Sequence, residues 1–215
     1  MNRYRAEASR DFWNAVAAVP PDSVESIAES LLSTGAHPVF DTLTARLRRV
    51  DDRLLLTLGA AATLRPHLVI SAGGDRRAFP VVFALVEAAP PAVREAFEVL
   101  ALRPRHPQPE TLALAAGEAE VHADQVTWTA RQHEADPRIV DLMLYVPGWN
   151  PREHPDRGAN ADLATVCFAL LDHAVGEYAA ETQIAGIDFE ARDAAPDEAE
   201  PFRSLPPYLD QITDA

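Results

Sequence analysis

Apolar residues recur at helical spacing through the first 50 positions, then give way to alternation and short continuous runs. Phe12, Trp13, Val16 and Val19 form one stripe, and Val24, Ile27, Leu31 and Leu32 a second. Val39, Phe40, Leu43, Leu47 and Val50 form a third. Each stripe predicts an amphipathic helix, and Pro20-Pro21 and Gly35 with Pro38 mark the joints. Beyond Val50, residues 53–58 and 67–72 read as strands, 77–89 as a helix and 97–102 as a strand. Weaker alternation over 119–131 predicts a hairpin turning at Asp124, and 139–146 a strand. Residues 160–178 read as the clearest helix, with Leu163, Val166, Cys167, Leu170, Leu171 and Ala174 on one stripe, and 184–190 as the last strand.

From residue 67 onward the order is strand, helix, strand, hairpin, strand, helix, strand. Without the hairpin this is the split βαβ order. The expected fold is therefore α+β and ferredoxin-like: a mainly antiparallel sheet with an extra β-hairpin and N-terminal helices. The expected organisation is a single domain. Residues 1–50 form a helical segment packed on an α+β core at 51–190, and 191–215 an acidic linker with a short C-terminal segment.

Composition narrows the chemistry. The 215 residues carry 19 basic side chains, every one an arginine, and a net charge of −14. Without lysine there is no Walker-type phosphate loop, Schiff base or lysine general base. Residues 1–110 carry 13 Arg against 13 Asp and Glu, and residues 111–215 carry 6 against 20, so the later half holds the whole excess. Such a surface repels phosphate backbones, which argues against nucleic acid and for a basic protein partner. The single Cys167 excludes a disulfide framework or CxxC pair. No apolar run is long enough for a membrane span. Glu7 and Asp11 interrupt the N-terminal stretch before a signal-type apolar region develops, so a cytoplasmic protein is expected.

The stretches LVISAGGDRRAFPVVFALVEAAP, LALRPR and LLDHAVGEY resemble an uncharacterised bacterial domain family over about residues 40–190. The resemblance implies a shared fold and assigns no activity.

Three places break the structural pattern. Ser71, Gly73, Gly74, Arg76 and Arg77 lie between a strand and a helix, where glycine backbone and helix N–H groups suit an anion. The ferredoxin-like order would bring Arg103, Arg105 and His106 to the same sheet edge, making an arginine-lined site for a small anionic ligand. Glu177 falls inside the apolar stripe near the expected C-terminus of its helix, with His173 one turn earlier, and is read as a buried carboxylate. The loop 147–159 concentrates Trp149, Arg152, His154 and Asp156 without an apolar pattern. The histidine spacings include neither HxxxH nor HExxH, so no metal and no cofactor is expected.

With no catalytic motif, the favoured reading is a non-catalytic binding or regulatory protein acting through an acidic protein–protein interface. The alternative is a small hydrolase acting on a phosphorylated or carboxylated substrate through the arginine-lined site.

Overall fold

The computed structural model describes residues 3–59, 65–154 and 157–213. The chain divides into two compact units, Met1–Arg103 and Pro104–Ala215. Each has its own apolar core. The division falls between Arg103 and Pro104, whereas the hydrophobic pattern leads to one core over 51–190 with flanking segments.

The first unit opens with three helices, α1 (Arg3–Ala17), α2 (Val24–Thr34) and α3 (Pro38–Val50). Gly35, at φ 73°, ends α2 in the left-handed region. The His37 side chain accepts from the Val39 N–H at 3.3 Å to start α3, and Arg48 and Arg49 lie in its last turn, where the helix dipole favours cations. There follow β1 (Leu55–Gly59), β2 (His67–Ser71), α4 (Phe79–Glu87), α5 (Pro91–Ala96) and β3 (Glu98–Ala101). The sheet order is β1-β2-β3, antiparallel then parallel, with α4 and α5 forming the crossover. Phe12, Trp13, Leu43, Leu47, Leu68, Ile70, Leu85 and Phe97 fill the core. The second stripe is narrower than its periodicity suggests: Val24 and Ile27 are buried, Leu31 is half-buried and Leu32 is exposed.

Asp51, just after α3, is held by charge. Its side chain is only 3% exposed, and it accepts from Arg53 at 2.7 and 2.8 Å and from Arg5 at 3.0 Å. The Arg53 guanidinium beside it lowers its carboxyl pKa from the ordinary 3.8. A depressed pKa stabilises the folded chain above the unfolded value, and that contribution fades as pH falls through the folded one. Asp51→Asn is expected to destabilise by about 2–3 kcal/mol at neutral pH. It should also flatten the loss of stability below about pH 4, read by urea unfolding at several pH values; a parallel acid profile in the variant would refute the assignment.

The second unit contains β4 (Ala113–Ala116), β5 (Ala119–His122), β6 (Thr127–Gln132), β7 (Val140–Val146), α6 (Gly158–Val175), α7 (Glu177–Gln183), β8 (Ile184–Ala191), β9 (Glu200–Pro201) and α8 (Leu205–Thr213). β4 and β5 make a two-stranded sheet, and the four-stranded sheet runs β8-β7-β6-β9. Again one pair is parallel, β7 and β8, joined through α6 and α7. Val140, Leu142, Leu144 and Val146 join Leu163, Val166, Cys167 and Leu170 of α6 in the core. Cys167 is 1% exposed, and burial pushes its thiol up to about 12.

The α+β class holds, but the strands do not form one ferredoxin-like sheet. Each helical crossover joins two directly paired parallel strands, and the two crossovers belong to separate sheets. Pro104, Pro107 and Pro109 follow β3 closely; each fixes φ and lacks a ladder donor, so the chain leaves the first sheet instead of turning back along it. The hairpin also differs. β5 pairs with β4 across a turn at Gly117, and Asp124 lies in a short 3-10 turn leading to β6. Residues 191–201 are more than a linker, because they return the chain to the far side of the sheet, where β9 pairs with β6. Phe202, Leu205 and Leu209 then enter the core.

Candidate functional site

The glycine turn between β2 and α4 satisfies most of its own donors. Gly73 N–H donates to Ser71 Oγ at 2.9 Å and Asp75 N–H to Ala72 O at 3.1 Å. Asp75 supplies a carboxylate of its own at this turn. Its carboxylate accepts from Arg77 N–H at 3.0 Å, from the Arg77 guanidinium at 2.8 Å twice, and from Arg53 at 3.3 Å. The Arg77 hydrogen bonds, with help from Arg53, hold the Asp75 carboxyl well below the usual carboxylate range. Arg76 is exposed.

The eight anion-site candidates do not share one unit. Ser71, Gly73, Gly74, Arg76, Arg77 and Arg103 belong to the first, Arg105 and His106 to the second. Within the second, Arg105 donates twice to Asp210 at 2.7 Å and through Nε to Val175 O at 2.8 Å, which caps α6. That pairing lowers the Asp210 pKa. His106 Nδ1 accepts from Gln108 N–H at 3.2 Å, which leaves Nε2 as the ring's donor. Both residues line an open cleft of about 620 Å³ with Glu110, Arg203 and Ser204. The start of α8 adds little amide capacity there. Leu205 N–H donates to Phe202 O, and Pro206 and Pro207 have no N–H.

Glu177 is fully buried, but it does not sit near a helix C-terminus as the periodicity suggests. Gly176, at φ 79° and ψ 151°, ends α6, and Glu177 opens α7. That backbone conformation is open essentially to glycine alone, and it puts the carboxylate at the favourable end of the second helix. His173 is exposed, and its carbonyl accepts from His106 N–H at 2.7 Å.

The long loop is pinned. Trp149 is 7% exposed and stacks on Phe189 with ring centroids 4.8 Å apart. Arg152 and His154 are exposed, and Asp156 lies outside the described residues. The residue that organises this loop is one the sequence reading passed over. Asn160, fully buried, accepts from Asn150 N–H at 3.1 Å and donates to Asn150 O at 2.8 Å and Glu153 O at 3.2 Å. The signal was available: Asn160 lies three and seven residues before Leu163 and Cys167, on the apolar stripe of α6.

The largest electrostatic feature belongs to the second unit. Residues 1–103 carry 12 Arg against 12 Asp and Glu, and residues 104–215 carry 7 against 21, so the net charge of −14 lies wholly there. Three of the seven arginines, Arg105, Arg131 and Arg138, are engaged by Asp210, Asp141 and Asp136. Asp141 also has His133 Nε2 at 3.1 Å. His133 and Arg131 together lower its pKa, His133 most. Asp124, Asp188, Asp193, Asp197, Glu198 and Glu200 are exposed and form no ion pair among the described residues.

Among the described residues no three His, Cys, Asp or Glu side chains gather as a metal site would require, and no helix is long and apolar enough to cross a membrane. Searches with this chain found no matching family model, no matching curated protein and no matching solved structure.

Proposed function

We propose that this is a non-catalytic binding or regulatory protein whose working surface is the acidic second unit, and that its partner is a basic protein. The observation that carries the reading is the confinement of the whole −14 excess to residues 104–215, beside a first unit of zero net charge. A solubility charge has no need of such partition. A unit with a large charge excess of one sign steers a partner of opposite sign and repels nucleic acid. The anion-site reading is weaker because the donors around Gly73 and the fork of Arg105 already serve Asp75 and Asp210. A lone buried thiol suits a cytoplasmic setting.

The test compares the native chain with a variant in which Asp193, Asp197, Glu198 and Glu200 become their amides. Both are used as bait in lysate of the native host at low and high salt. A basic protein retained at low salt by the native chain, lost at high salt and lost with the variant is the expected result. Equal capture by both chains, or retention indifferent to salt, would count against the reading.

A further inference from the structure

The four-stranded sheet ends differently at its two sides. At one side β9, two residues long and ending at Pro201, covers Thr127 and Trp128 of β6 and leaves residues 129–132 as a short edge that bears Arg131 and so suits a basic segment poorly. At the other, β8 runs for eight residues, Ile184–Ala191, and pairs only with β7 among the described residues. No residue of β8 is fully buried. A strand of this length presents a row of backbone donors and acceptors ready for another strand.

We infer that β8 is a docking strand, and that its occupant is an extended segment of the basic partner, alternating basic and apolar residues, added to the sheet as a further strand. This rests on the acidic-surface reading and narrows it to one edge. The alternation follows from the two faces of the sheet. Asp188 and Glu190 stand beside Met143 and Tyr145 in register, on the face that also carries Asp141, and a neighbouring strand would meet carboxylates there. Phe189, between them, points to the opposite face. There it stacks on Trp149 and meets Phe168 edge-on with centroids 5.6 Å apart. Phe168 is 49% exposed, so an apolar shelf lies open beside the strand. Arginines on one face and apolar residues on the other would match both. A second copy of this chain fits poorly, because pairing β8 with itself sets carboxylates against carboxylates.

The probe is a short peptide alternating arginine and valine, together with the same peptide N-methylated at two adjacent central amides. Adjacent amides point to opposite edges, so methylation blocks pairing on either side and leaves charge and side chains unchanged. The parent peptide should bind the full chain at low salt, weaken steeply as salt rises, and protect backbone amides within residues 185–190 from hydrogen exchange. The methylated form should bind about tenfold more weakly or worse, and the double substitution Asp188→Asn, Glu190→Gln should weaken the parent similarly. Equal binding of the two peptides, or exchange protection elsewhere, overturns the docking strand and leaves the acidic surface standing. Failure of the parent peptide to bind at low salt overturns both.

Discussion

Trp13→Ala is expected to remove about 3–5 kcal/mol from the stability of the first unit, the largest single loss among the substitutions considered. The indole is 2% exposed and packs against Phe12 with ring centroids 4.8 Å apart. Its Nε1–H donates to Leu85 O at 3.2 Å, which ties α1 to α4. That bond is built into the end of α4. The Ala88 and Ala89 amides donate to Ala84 and Val86, so the Leu85 carbonyl takes the indole proton instead. Alanine leaves a cavity and an acceptor without its donor, and the two penalties add. A domain has only about 5–15 kcal/mol in hand, so the variant is expected to be marginal at room temperature. Trp13→Phe keeps most of the volume and should lose roughly 1–2 kcal/mol. Urea unfolding followed by far-ultraviolet circular dichroism checks both, and a loss under about 1 kcal/mol for the alanine variant would show that the indole is not central to the core.

Asn160→Ala is the second large effect, roughly 2–4 kcal/mol, and it acts on a loop more than on a core. One side chain supplies an acceptor and two donors to backbone groups of Asn150 and Glu153. Removing it leaves those groups without partners beside the apolar packing of Trp149, and the chain between β7 and α6 should loosen. Faster hydrogen exchange across residues 148–154, with little change in the strands, is the expected signature. Asn160→Asp keeps the acceptor but loses both donors and buries a charge, so it should do no better at neutral pH. Exchange in the loop that matches the native chain would mean that prolines and stacking alone hold it.

What could be read from the chain beforehand follows the strength of local signals. The stripe of α1, with Phe12, Trp13 and Val16, and that of α3, with Leu43, Leu47 and Val50, are buried as their spacing requires. β7 and β8 lie within a residue or two of the expected spans, because their runs are long and β-rich. α5 escaped notice because Pro90-Pro91 reads as a breaker, although proline is tolerated in the first helical turn. The single helix expected over 160–178 divides at Gly176, whose φ of 79° and ψ of 151° end α6, and a glycine inside an apolar stripe gives no local sign of that turn. Sheet membership was the least legible. Whether β3 and β7 share a sheet depends on long-range closure, which no window of residues encodes; the prolines after Arg103 mark only where the chain leaves the first sheet. The anion site fared similarly: residue types named donors, while Asp75 and Asp210, at short and long separations, turned out to use them. The acidic partition was visible in the counts, yet its coincidence with a structural boundary needed coordinates.

The position of Cys167 in the core of the second unit has a practical side. Its thiol is both shielded and poorly ionised at neutral pH, so maleimides and disulfide reagents should pass the folded protein by. A cysteine engineered on the surface would thus be the sole reactive handle, and dyes or crosslinkers can be attached site by site with the native thiol left in place.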